Sequence, residues 1–158
     1  MPAVDMAQPI FDFASLPCTS APQSGVVVSG TTPHGAFTAR VGVAGWSWGE
    51  GACNGQPTVY LYAEGAPALD PRDTTGALRI YDGASHWSDL GATRDAFVSY
   101  DDGATVWTVT GQVTWTRRDD FLQPGGVLEG DLSVDTGGFK LHGHFIANRC
   151  ERFDQHCI

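Results

Sequence analysis

Lysine is almost missing from this chain. Lys140 is the only one, and 9 Lys+Arg stand against 18 Asp+Glu for a formal net charge of −9. Nucleic-acid binding needs a concentrated basic face, so this balance argues against a nucleic-acid partner. Divided before Ile80, the chain is acidic in both parts, with 3 basic and 6 acidic residues ahead of the cut and 6 and 12 after it; no charged tail stands apart. Such acidity bears on solubility and on cations rather than on fold. No apolar run approaches the length of a membrane span, and no positively charged N-terminal region leads into an apolar one, so neither a membrane span nor a signal peptide is expected. There is no C-x-x-C knuckle, no phosphate-cradling glycine loop, and no Cys and His pair at catalytic spacing. Helical stripes are missing too, because 20 glycines and 9 prolines are scattered too evenly for helices of ordinary length.

What the chain does contain is alternation. Phe37, Ala39, Val41 and Val43 alternate with Thr38, Arg40 and Gly42, the period-2 signature of a half-buried strand. The longest such pattern is Thr105 to Thr116. Trp107, Val109, Val113 and Trp115 face one way there, and Thr108, Thr110, Gln112, Thr114 and Thr116 face the other. Further strands are expected over 24–29, 59–63, 77–81 and 93–100, the last closed by an Asp101-Asp102-Gly103 turn. Strands joined by short turns with no interleaved helices predict an all-β fold, and at 158 residues a single domain. The expectation is an antiparallel, jelly-roll-like β-sandwich of about eight strands over residues 25–158. Residues 1–24, holding four of the prolines and no periodicity, read as an irregular N-terminal arm.

The segment from Gly126 to Asn148 is the most informative, since two alternating runs flank Asp135-Thr136-Gly137-Gly138. Pairing Val134 with Phe139 sets Leu132 against Leu141, Gly130 against Gly143 and Leu128 against Phe145 on an apolar face. The other face then sets Asp131 against His142 and Glu129 against His144. Two imidazoles two residues apart can chelate a divalent metal when a neighbouring strand supplies carboxylates, so Glu129, Asp131, His142 and His144 are the candidate metal ligands, with zinc as the natural ion. A solvated ladder of His and carboxylate pairs is the simpler alternative. Calcium is the second cofactor to consider, because Asp70, Asp73, Asp82, Asp89, Asp101 and Asp102 sit in glycine-bearing or proline-bearing turns. None follows a D-x-[DN]-x-[DN]-G loop, and Asp is in any case a good turn residue.

Gly45-Trp46-Ser47-Trp48-Gly49 matches G-x-S-x-G letter for letter, but that elbow requires a strand turning into a helix, which is not expected here. Trp46 and Trp48 are of more interest. Residues two apart on a strand share a face, and two indoles could form a platform for a sugar ring; core packing is the competing explanation. The four cysteines, Cys18, Cys53, Cys150 and Cys157, form an even set and point to an oxidised, exported protein. Cys150 with Cys157 is the expected local pair, leaving Cys18 to pin the arm to Cys53, although the sequence alone does not choose among the connectivities.

Ser29-Gly30-Thr31-Thr32-Pro33-His34-Gly35-Ala36-Phe37 and the closing run Leu141-His142-Gly143-His144-Phe145-Ile146-Ala147 carry a family likeness. The second resembles the L-x-G-x-F-x-A closing strand of small secreted bacterial β-sandwich and lipoprotein-type domains. The resemblance implies export and an all-β fold. In that pattern the residues beside the glycine are not histidines, so it transfers no site. The expected function is thus an exported, non-catalytic binding or structural module, secreted, periplasmic or on the cell surface. Its partner would be an extracellular protein or a glycan. Two alternatives stand beside it: a metal-dependent or carboxylate-dependent enzyme on the 129/131/142/144 hairpin, and a carbohydrate-binding module using Trp46 and Trp48.

Overall fold

The alternating segments become strands, each paired with the next. The structure, a computed structural model, describes residues 23–47, 56–63, 74–81, 90–119, 126–150 and 153. Its eight strands are β1 (Ser29–Thr32), β2 (Gly35–Ser47), β3 (Gln56–Ala63), β4 (Leu78–Tyr81), β5 (Thr93–Asp101), β6 (Val106–Arg118), β7 (Val127–Thr136) and β8 (Phe139–Arg149). Consecutive strands pair antiparallel, and β1 also pairs with β8, so the sheet closes on itself. The expected sandwich is therefore corrected to an antiparallel β-barrel. Alternation with short turns suits both architectures; what distinguishes them is a seam between strands far apart in sequence.

That seam is built on glycine. Beyond β1, β2 touches β8 directly in a short parallel ladder, Val43 with Asn148 and Ala44 with Arg149. A Cβ on Gly42 would overlap the Ile146 carbonyl oxygen, and one on Gly30 the Lys140 carbonyl oxygen. Only residues without a side chain let these backbones meet. Closure removes the exposed edges that an open sheet would offer for aggregation.

A barrel of eight strands has an interior just wide enough for side chains to fill. Here Val26, Val28, Leu61, Ile80, Val98, Val113, Leu128 and Leu141 meet inside it, all fully buried. Trp115 lies edge-on to Phe145, ring centroids 5.7 Å apart at 89°, and Phe37 lies edge-on to Tyr100. The expected apolar face of β6 is present, with Trp115 and Val113 buried and Trp107 and Val109 half-buried.

One strand departs from simple alternation. A bulge between Ala39 and Val41 shifts the β2 register, so Phe37, Ala39 and Ala44 point into the barrel while Val41 and Val43 point out of it. The single face expected for Phe37, Ala39, Val41 and Val43 is thus split. Val41 and Val43 instead join Tyr60, Tyr62, Ala77, Cys150 and Phe153 in a second apolar cluster outside the barrel wall. The Tyr60 and Phe153 rings sit 4.9 Å apart, and burial raises the Tyr60 hydroxyl pKa against the opposing pull of Arg79. This arrangement explains why β3 is buried on both faces.

Cys150 is 2% exposed and is not a free thiol. No disulfide at bonding distance joins two described residues, and Cys18, Cys53 and Cys157 lie outside them, so neither expected pairing, Cys150 with Cys157 or Cys18 with Cys53, is carried by the structure. Most of the N-terminal arm also lies outside the described residues. Of its last residues, Gln23 donates its backbone N–H to the Arg40 carbonyl (2.8 Å) and accepts the Gly42 N–H on Oε1 (3.0 Å). Among the described residues no helix is long and apolar enough to cross a membrane.

Candidate functional site on the outer face of β5 to β8

The β7–β8 hairpin turns on Gly137 and Gly138, with φ of +58° and +87°. Two central residues with positive φ make the two-residue turn whose twist matches that of the strands. The consequence is a register two residues away from the expected one. Thr136 pairs with Phe139, Val134 with Leu141, Leu132 with Gly143, Gly130 with Phe145 and Leu128 with Ala147. A shift of two keeps every side chain on its face but changes every partner. Asp131 faces His144 rather than His142, Ser133 faces His142, Glu129 faces Ile146, and the two glycines are not opposed.

Glu129, Asp131, His142 and His144 do share the outer face, but they do not converge. His144 Nδ1 lies 3.0 Å from Asp131 Oδ1, and its Nε2 lies 3.2 Å from Glu129 Oε1 along the diagonal. Partial burial works against its charge, yet the hydrogen bonds to Asp131 and Glu129 outweigh that effect and raise its pKa above 6.5. Both ring nitrogens of His144 are thus taken up by carboxylate partners, and in the imidazolium form, where both donate, the ring has no lone pair to offer a metal. His142 turns Nδ1 toward the Ser133 hydroxyl instead, at 3.2 Å. Among the described residues no group of three or more His, Cys, Asp or Glu side chains is placed to hold a metal ion. The metal expected at Glu129, Asp131, His142 and His144 is corrected accordingly.

The network runs on into β6. Arg117 Nη1 lies 3.6 Å from Glu129 Oε2, and its fork grips Asp119 at 3.0 and 2.9 Å. The Arg117 hydrogen bond is the main reason the Asp119 carboxyl is held below its ordinary range. Asp119 also accepts the Val127 N–H, tying the start of β7 to the end of β6. Arg117, Glu129 and His144 thus form an electrostatic staple across β6, β7 and β8.

Next to the staple the same outer face is hollowed. An open depression of about 300 Å³ lies over the middle of β5, β6 and β7, lined by Asp95, Thr110, Gln112, Ser133 and Asp135. Register explains the grouping: Asp95 faces Gln112, Gln112 faces Ser133, and Phe97 faces Thr110. Phe97, 53% exposed and opposite the lining residue Thr110, stands beside the depression without lining it. The expectation of a wet face on β6 had reached Thr110 and Gln112 but not Asp95, Asp135 or Phe97. A signal for Phe97 was there to read, since it falls on the polar phase of a strand whose other phase is Ala96, Val98 and Tyr100.

The other sequence candidates fare differently. Ser47 ends β2 and pairs with Gln56 in an antiparallel ladder, while Trp48 and Gly49 of the G-x-S-x-G match lie outside the described residues. Trp46 belongs to β2, but its side chain and all of Trp48 lie outside the described residues. Asp101 accepts from the Gly103 N–H and the Thr74 hydroxyl, and Asp102 from the Ala104 and Thr105 N–H groups. Those last two bonds lower the Asp102 pKa. Both carboxylates therefore shape a turn rather than a calcium loop, and Asp70, Asp73, Asp82 and Asp89 lie outside the described residues. No protein-family model, curated protein or solved structure matches the chain.

Proposed function

We propose that the chain is an exported, non-catalytic binding module whose contact surface is the outer face of β5 to β8. One observation carries this reading: the depression between β5 and β7, in which Asp95, Thr110, Gln112 and Asp135 make no side-chain hydrogen bond or ion pair among the described residues. Polar side chains gathered in a concavity and left unpaired by the fold are suited to pairing with a ligand. The filled barrel interior points the same way, because it leaves the outer wall as the surface for recognition. Open, shallow exposure of the carboxylates supports binding over catalysis, which favours water-excluded sites. The export part of the reading rests on the resemblance at β8.

A glycan and surface-protein array is the test. The wild-type chain should give a specific signal that Asp95→Ala/Gln112→Ala/Asp135→Ala loses with its melting midpoint unchanged, and cell fractionation should place the chain outside the cytoplasm. A silent array, or a signal the triple variant keeps, would refute the proposed surface.

A further inference from the structure

We infer that the depression, together with the exposed Phe97 beside it, is a binding site for one uncharged pyranose ring of a glycan; this deepens the binding-module reading and rests on it. Size is the first argument. Three adjacent strands span about 10 Å, and about 300 Å³ lies at the lower end of ligand pockets, which suits one ring with its substituents and not a buried oligomer.

Hydrogen-bonding character is the second. Asp95 and Asp135 can only accept, the Gln112 amide donates and accepts, and the Thr110 and Ser133 hydroxyls do either. A ring bearing several hydroxyl groups, each both donor and acceptor, matches that mixture. A purely cationic ligand would leave the amide and hydroxyl donors without acceptors. A bare metal ion is disfavoured further, since no group of three metal-ligating side chains gathers among the described residues.

The third argument is Phe97. Its ring stacks with Tyr81, centroids 6.4 Å apart and planes within 19°. In the cross-strand row it stands between Tyr81 and Thr110. A solvent-facing aromatic already held by a neighbour offers an apolar face at little entropic cost, and the C–H face of a pyranose is its natural complement. Polar groups lining the depression and one aromatic on the neighbouring position of β5 would orient a ring through both its edge and its face.

Charge narrows the class. The two carboxylates repel uronic and sialic acids, and no basic side chain lines the depression. Lys140 faces Asp135 from β8 but lies outside the lining.

The test is amide-shift mapping of the full, ¹⁵N-labelled chain. The probes are neutral hexasaccharides of β-linked glucose, mannose and N-acetylglucosamine, with oligogalacturonate as the anionic counterpart. At least one neutral probe should give saturable shifts centred on Asp95, Gln112 and Ser133. Phe97→Ala and Gln112→Ala should each weaken that binding by about tenfold, Phe97→Trp should retain it, and oligogalacturonate should not bind. Melting midpoints of the variants confirm that they fold. Saturable shifts confined to another surface, or affinity unchanged in both alanine variants, would overturn the site and leave the binding module standing. Equal binding of oligogalacturonate would overturn the ligand class. Silence toward every neutral probe overturns this inference alone if the array reports another ligand, and the module reading with it if the array is silent too.

Discussion

Gly42→Ala tests barrel closure directly. The added Cβ would meet the Ile146 carbonyl oxygen, its carbonyl carbon at 3.0 Å and the Ala147 Cα at 3.3 Å, all backbone atoms of β8. A side-chain tip could rotate away, but backbone in a ladder cannot, so β2 and β8 must separate. Overpacking typically costs about 1 to 3 kcal/mol, and a clash without a rotamer escape belongs at the upper end. For a chain of this length, about 3 kcal/mol lowers the melting midpoint by about 6 to 12 °C. Gly76→Ala is the comparison: its φ is +81° and no atom lies within 4 Å, so its cost is conformational alone, about 1 to 2 kcal/mol. Differential scanning calorimetry ranks the two. Hydrogen exchange at the Cys150 amide, which donates to the Ala44 carbonyl at 2.8 Å, locates the damage. If Gly42→Ala melts within about 2 °C of wild type, or leaves Cys150 exchange unchanged, the close β2–β8 contact at the seam does not hold.

Two further outcomes are expected. Trp115→Ala should cost about 3 to 5 kcal/mol and lose near-ultraviolet circular dichroism, because the indole is fully buried against Phe145; a nearly unchanged midpoint would mean the β6 faces are reversed. His144 has a folded-state pKa raised above its unfolded value, so its stabilising effect is complete below pH 6.5 and is lost as pH rises through the folded pKa. The gap in melting midpoint between wild type and His144→Ala should therefore be widest in mild acid and narrow toward alkaline pH, and an NMR titration of His144 with its midpoint below 6.5 would show that burial, not Asp131 and Glu129, dominates.

Much of the candidate surface is legible in the chain, but not its pairing. The outward placement of Glu129, Asp131, His142 and His144 follows from period 2 alone, as does the polar row Thr110, Gln112 and Thr114 on β6. Partnership does not, because a pairing shifted by two residues satisfies the same pattern. The choice belongs to Gly137 and Gly138, whose positive φ values shorten the loop and bring His144 opposite Asp131. That difference turns an imagined chelating set into a histidine held by two carboxylates.

By itself the sequence determined the secondary-structure class, the inner and outer faces of most strands, and the acidity of the surface, since each depends on local alternation and composition. Tertiary structure decided the rest. The β2 bulge sends Val41 and Val43 outward because a second cluster around Tyr60 and Phe153 is there to bury them. The depression exists because β5, β6 and β7 align Asp95, Gln112 and Ser133 across three strands. Closure, finally, is a contact of β8 with β1 and β2, strands separated from it by most of the chain. Alternation is blind to sequence separation, and a glycine such as Gly42 reads as a gap in a strand until the backbone it admits is in view.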